Sequence, residues 1–292
     1  MKFDVIIGNP PYQLSDGGAQ ASARSIYHLF VMQAIKLQPR YLSMIIPARW
    51  YTNGKGKGID EFRDLMLHCN QISNLVDYIN SADCFPGVTI AGGVCYFLWE
   101  RDYKGKCKVT NTTSKTGLTA SRYLGDYDIF VRNNIAVNII GKLHLTNDST
   151  FNKQVKSYSY FSIRSYERGV ANKASQDDVV LLSSNGKGFY QRQKISDRDN
   201  IIDKYKVIIT YAMSGGNKPT GDGNYQVISS LQILKPNEVC TETYLILGVY
   251  DREEYAENLM SYVSTKFFRF LLLQALTSIH ITKDSFCFVP MQ

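Results

Sequence analysis

The chain has 292 residues, with 44% hydrophobic and 20% charged, proportions of an ordinary folding protein that exclude a disordered, collagen-like or coiled-coil chain. Its net charge of +7 is uneven: residues 1–100 carry 8 Lys/Arg against 8 Asp/Glu and residues 101–292 carry 25 against 18, so the excess lies in the rear. A neutral front joined to a basic rear suggests one module for chemistry and one for meeting a polyanion.

The longest apolar runs, Leu42 to Ile46 and Phe270 to Leu273, fall far short of the roughly 20 residues of a spanning helix. The first residues run straight into a strand-like Phe3-Asp4-Val5-Ile6-Ile7, so membrane and secretory readings are poor and a cytoplasmic location is expected. Cys69, Cys84, Cys95, Cys107, Cys240 and Cys287 form no CxxC pair, and with four histidines they make no zinc spacing. Reduced, mostly buried thiols and no metal are expected.

In chain order, Phe3 to Ile7 reads as a buried strand. The spacing of Tyr27, Phe30, Val31, Ala34 and Ile35 predicts a helix, and Leu42 to Ile46 is the next strand, stopped at Pro47. Residues 60–69 form a second helix. Ile72 to Ile79 and Gly93 to Trp99 are two further strands, joined through Phe85-Pro86-Gly87 and expected to be antiparallel because no crossover helix fits between them. Between Tyr103 and Asp128 the composition turns to Lys, Gly, Thr, Ser and Asn, which reads as the exit from the first domain. Beyond it the runs Val179 to Leu182, Val207 to Thr210, Val227 to Ile228 and Tyr244 to Leu247 predict strands, and Glu253 to Leu273 a helix.

Asn9-Pro10-Pro11-Tyr12 follows the first strand and Gly8, and in open α/β sheets ligands bind at the carboxyl ends of strands. Two prolines fix the backbone and remove two N–H donors, so the loop presents carbonyl oxygens without competing hydrogens. Asn9 adds a side-chain acceptor and Tyr12 an aromatic face, a pairing suited to a planar ligand bearing an –NH2 group. Asn-Pro is also a common turn former, and the strand context is what raises the binding reading above a plain turn.

The decapeptide Phe3 to Tyr12 resembles motif IV of S-adenosylmethionine-dependent amino-methyltransferases, which act on adenine in DNA, on some RNAs or on protein glutamine. The helix around Tyr27 to Ile35, the strand ending Ile45-Ile46-Pro47-Ala48-Arg49-Trp50 and the segment Cys84 to Thr89 fall in the order of the later motifs of gamma-class DNA adenine methyltransferases of bacterial restriction–modification systems. Phe161-Ser162-Ile163-Arg164, Tyr205 to Tyr211 and Ser278 to Lys283 are similar to parts of their target-recognition domain. The resemblance implies a fold of class α/β: the second half of a Rossmann-like methyltransferase sheet over residues 1–103, a linker over 104–128, and an α+β target-recognition domain over 129–292.

It also implies roles. The target adenine is flipped out of duplex DNA, the Asn9 side chain and the Pro10 carbonyl accept its two amino hydrogens, and both border the S-adenosylmethionine site, with Pro11 stiffening the turn. Tyr12 stacks on one face of the base and Phe85 contacts it from another side, although an aromatic before Pro-Gly is equally a turn anchor. Cytosine-ring methylation needs a cysteine after a proline, and no cysteine here follows one.

The chain departs from this family at its start, since the Gly-rich cofactor loop and the acidic residue for the ribose precede motif IV there. Gly54 to Gly58 and Gly215-Gly216 do not both follow a strand and open a helix as a cofactor fingerprint would. We therefore expect a fragment or one half of a split enzyme, inactive without an amino-terminal half that holds most of the S-adenosylmethionine site. Phe286 to Pro290 would be a last strand. The first strand would then present an open sheet edge.

In the rear, Arg164 and Arg168 stand near Tyr160, Phe161 and Tyr166 in sequence, Lys187, Arg192 and Lys194 near Phe189 and Tyr190, and Lys218 follows Gly215-Gly216-Asn217. Basic residues interleaved with aromatics suit phosphate contact and stacking, although each alone also fits a solvated face. His280 alternates with Ile279 and Ile281 as in a strand, and His28 lies in the first helix, so both are expected to be structural. Two other readings stay open: a glutamine or RNA methyltransferase sharing the motif, against which the roughly 190 residues after Trp99 speak, and a DNA-specificity module without chemistry of its own.

Overall fold

The structure, a computed structural model, describes residues 3–14, 24–51, 58–90, 92–112, 117–146, 148–213, 224–276 and 280–292. The chain divides into two compact units, residues 1–139 and 140–292.

The front unit is built on β1 (Val5–Gly8), a two-residue pair β2 (Gln13–Leu14) and β3 (Arg24–Ser25), α1 (Tyr27–Lys36), β4 (Tyr41–Pro47), α2 (Ile59–His68), β5 (Ile72–Tyr78), β6 (Val94–Glu100), β7 (Cys107–Thr112), β8 (Gly117–Arg122) and α3 (Asn134–Gly141). Six strands form one mixed sheet in the order β1-β4-β6-β5-β7-β8. β1 pairs with β4 in parallel, Val5 opposite Tyr41, with α1 as the crossover, while β6 pairs antiparallel with both β4 and β5. The expected order of strand, helix, strand and antiparallel pair is thus present.

α1 turns differently from the expected face. Tyr27, His28, Val31 and Ala34 are its buried residues and Phe30 is exposed. His28 takes the inward place because its ring packs against Tyr27 and Phe62, with centroids 5.7 and 6.1 Å away. The core gathers Trp50, Tyr51, Phe62, Phe97 and Trp99 around the sheet. β1 is the outer strand at one end of the sheet, and its Val5 and Ile7 are 51% and 78% exposed. Among the described residues no strand pairs with its outer side, and an apolar edge of that kind is a ready template for pairing.

Residues 104–128, expected as a linker, instead supply β7, parallel to β5, and β8, antiparallel to β7. In Cys107-Lys108-Val109-Thr110-Asn111 the odd positions are buried. The period of two was hidden because one inward residue, Asn111, is polar and is satisfied there by bonds to the Arg132 carbonyl and the Asn134 amide.

The rear unit contains β9 (Val179–Ser183), β10 (Gly186–Tyr190), β11 (Tyr205–Thr210), β12 (Leu231–Leu234), β13 (Glu238–Cys240), β14 (Tyr244–Tyr250), α4 (Glu253–Val263) and α5 (Lys266–Gln274). They form two three-stranded sheets, β10-β9-β13 and β12-β11-β14, with Phe161, Ile163, Leu181, Ile208, Leu234 and Ile246 in one core. Three expectations change. The strand expected at Val227 to Ile228 lies instead at Leu231–Leu234. The long helix expected over 253–273 is two helices, because Thr265 accepts the Phe268 amide through its hydroxyl oxygen and so starts a new one. Phe286 to Pro290 form a 3₁₀ turn and a short pairing of the 289–291 backbone with residues 149–151, Phe151 N donating to the Val289 carbonyl at 2.7 Å, rather than a sheet strand.

No helix among the described residues is long and apolar enough to cross a membrane. Nor do His, Cys, Asp and Glu side chains gather into a metal-sized group among them.

Candidate active site

The sheet delivers the Asn-Pro-Pro-Tyr tip at the carboxyl end of β1. Pro10 is buried, Asn9 and Pro11 are exposed and Tyr12 is half-buried, its ring packed on the front core. The Tyr12 carbonyl accepts the Ile26 amide at 3.1 Å, which ties the tip to the start of α1. Burial, then Cys84 and Cys95 nearby, push the Tyr12 phenol up to about 12, so it stays neutral and apolar in character at physiological pH. Its hydroxyl is enclosed and has no hydrogen-bond partner among the described residues.

Tyr12 thus lies within electrostatic reach of Cys84, the residue before Phe85. Phe85 is half-buried, and its amide donates to the Ser81 carbonyl at 2.7 Å. Ser81 ties the loop to itself: its hydroxyl donates to the Val88 carbonyl and accepts the Ile90 amide, both at 2.8 Å. Gly93, at φ +79°, closes the loop; a Cβ there would lie 2.1 Å from the Tyr78 carbonyl and 2.8 Å from the Arg132 guanidinium, so no other residue fits.

Arg132 is the residue that sequence reasoning missed. Its guanidinium grips buried Asp77 with two bonds of 2.6 and 2.7 Å and also donates to the Gly92 carbonyl at 2.7 Å and the Tyr78 carbonyl at 3.1 Å. These two carbonyls stand at the exit and the entry of the Phe85 loop, so a single side chain fixes both ends. Tyr51 donates a further bond to Asp77 at 3.1 Å and lies under the guanidinium, 5.4 Å from its ring centroid. The only sequence signal was an isolated Asp in a buried strand, which needs a cation from somewhere.

Asn9, exposed, and Pro10, buried, directly follow β1, the outer strand of the described sheet. Burial pushes the Cys95 and Cys107 thiols up to about 12, so both stay protonated at neutral pH.

The rear candidates are held within their own unit. Arg164 pairs with Glu242 at 3.2 Å, Lys187 with Glu238 at 2.6 Å, and Arg192 with Asp203, while donating to Asn237 at 2.9 Å. Arg168 donates to the Ser165 and Glu167 carbonyls. Lys194 helps to hold the Glu167 carboxyl below its usual range, after the larger effects of a bond from Tyr190 and one from the Arg164 backbone. Lys218 lies outside the described residues. His280 stacks on Tyr211 with centroids 4.8 Å apart, and Ile281 is buried.

The front unit thus carries an Asn-Pro-Pro-Tyr tip at the carboxyl end of a parallel strand, β1. Residues 1–85 match the family of Eco57I restriction-modification methylases. Over 133 residues the chain is 41% identical to an uncharacterized adenine-specific methylase of Mycoplasma pneumoniae, a stretch covering 45% of this chain and 31% of that protein. The fold also resembles that of the type IIL restriction-modification enzyme MmeI, solved in complex with DNA, with a TM-score of 0.52, 10% identity, and coverage of 97% of this chain and 46% of MmeI. The chain therefore spans less than half the length of either protein.

Proposed function

We propose that this chain is the base-gripping and DNA-recognising part of an enzyme that transfers a methyl group from S-adenosylmethionine to the exocyclic amino group of adenine in duplex DNA, within a restriction–modification protein. The observation that carries this reading is the tip itself: Asn9 outward and Tyr12 inward at the end of β1, beside the loop that holds Phe85.

An adenine flipped from the duplex would lay its ring against Tyr12, with Phe85 on another side. The Asn9 side-chain oxygen and the Pro10 carbonyl would accept its two amino hydrogens and draw the nitrogen lone pair out of conjugation with the ring. S-adenosylmethionine would supply the electrophilic methyl group. Neither acceptor is basic enough to keep a proton at neutral pH, so one amino proton passes to solvent once the new N–C bond has formed. The contribution of these residues is positioning and fixed dipoles.

We infer that most of the cofactor seat comes from a further α/β half paired with β1. The exposed Val5 and Ile7 on an open parallel edge support this, as does the greater length of both relatives. Calorimetric titration of this chain with S-adenosylmethionine tests it: no binding is expected, and a dissociation constant near ~1 μM would contradict the half-site reading.

A further inference from the structure

The rear unit contains a polar groove that no motif announced. It measures about 560 Å³ and is lined by the segment from Lys153 to Ser162, by Arg198 and Asp199, by Gly248 to Tyr250 and by Lys283. Both walls are anchored. The Lys156 amide donates to the Ile246 carbonyl at 2.9 Å, and the Asp199 amide donates to the Tyr160 hydroxyl at 2.9 Å. Ser159 and Ser162 both take left-handed backbone, φ +56° and +58°, and the Ser162 amide closes on the Ser159 carbonyl at 2.9 Å. The floor is set by a bulge in β14, where Val207 pairs with Gly248 but Ile208 pairs with Ile246. A Cβ at Gly248 would lie 3.0 Å from the Tyr250 ring and 2.7 Å from Leu259, so glycine keeps the floor as it is.

The groove is rich in positive charge. Four cations line it against one carboxylate. Lys156 pairs with Asp199 at 2.7 Å, whereas Lys153, Arg198 and Lys283 make no ion pair among the described residues. Arg164, Lys187 and Arg192, where the sequence pointed, are neutralised by Glu242, Glu238 and Asp203. At the groove wall Tyr158, itself 49% exposed, begins a run of rings: Tyr158 to Tyr211 at 4.7 Å, then Tyr211 to His280 at 4.8 Å.

We propose that this groove seats the phosphodiester backbone of the DNA, with Lys153, Arg198 and Lys283 neutralising phosphates and Tyr158 offering a sugar- or base-packing face. This rests on the reading of the rear unit as the DNA-recognising part. Unpaired cations among hydroxyls are the chemistry of backbone contact, and an exposed ring beside them suits stacking. A small apolar ligand would need a mostly apolar lining, which this groove lacks.

The test is duplex binding by the full chain, followed by fluorescence anisotropy across a salt series. Each neutralised phosphate adds about 0.9 to the slope of log affinity against log salt, so the triple variant Lys153→Gln/Arg198→Gln/Lys283→Gln should lose roughly two to three from the slope. Arg164→Gln/Lys187→Gln/Arg192→Gln, matched in charge removed, should change it by less than about one. Circular dichroism and melting of both variants exclude unfolding as the cause. A triple variant with the parental slope, or a control that loses as much, overturns the groove while leaving DNA binding intact. A parental chain that binds no duplex, or that prefers single-stranded RNA of equal length, overturns the groove and the DNA reading of the rear unit together.

Discussion

The two units use charge in opposite ways. In the front unit one ion pair is sealed inside: Asp77 has no exposed side-chain surface, and Arg132 satisfies it bidentately while holding two loop carbonyls. In the rear unit the pairs of Arg164, Lys187 and Arg192 lie at the surface, each with at least one partner well exposed to water. Surface pairs of this kind contribute ~0–1 kcal/mol, whereas removing one partner of a buried pair costs ~3–5 kcal/mol. The front unit therefore uses charge to fix a loop in place, and the rear unit leaves Lys153, Arg198 and Lys283 without an ion pair among the described residues along a groove.

The sharpest way to break this contrast is Arg132→Met. It leaves Asp77 buried and unpaired and should lower front-unit stability by ~3–5 kcal/mol, read by denaturant unfolding, whereas Arg192→Met should change rear-unit stability by less than ~1 kcal/mol. Equal effects would remove the distinction. Asn9→Ala deletes an acceptor without touching the core; in the native protein it should reduce methyl transfer ~10²- to 10³-fold with unchanged melting. Phe85→Ala should weaken capture of an extrahelical adenine by ~1–3 kcal/mol, and an effect on melting alone would reduce Phe85 to a turn anchor.

The smallest effect concerns Lys206 in the rear unit, the exception to its surface-charge habit. It is fully buried and donates to the carbonyls of Ile201, Ile202, Lys204 and Lys235, and burial pulls its ammonium down to about 8 from 10.5. The folded state thus releases its proton at lower pH than the unfolded chain does. Its stability contribution grows as pH rises from about 8 towards 10.5 and is lost as pH falls through 8. Relative to Lys206→Met, the parental chain should gain ~1–2 kcal/mol between pH 7.5 and 9.5; a constant difference would show that the four carbonyls hold the ammonium charged throughout.

What could be read beforehand follows the range of the interactions. The Asn9 to Tyr12 tip, the β1, α1, β4 unit and the antiparallel β5 and β6 pair depend on contiguous residues, and all were legible. β7 was not, because Asn111 broke the apolar alternation with a buried polar group whose partners are Arg132 and Asn134. Arg132 was invisible for the same reason, its carboxylate lying 55 positions away. In the rear, Lys187 and Arg192 stood out by local composition, but their neutralising carboxylates, 51 and 11 positions distant, did not. Lys153, Arg198 and Lys283 come from separate segments, and only the fold brings them to one groove.

The proposed role of Asn9 and the Pro10 carbonyl is to prepare an adenine amino group for methylation. Mass spectrometry of nucleosides from unmethylated duplex DNA, incubated with the native protein and S-adenosylmethionine, tests it most directly. The expected result is N6-methyladenine that disappears in Asn9→Ala while DNA binding is kept. Methylation of cytosine, or N6-methyladenine that persists undiminished in Asn9→Ala, would contradict it.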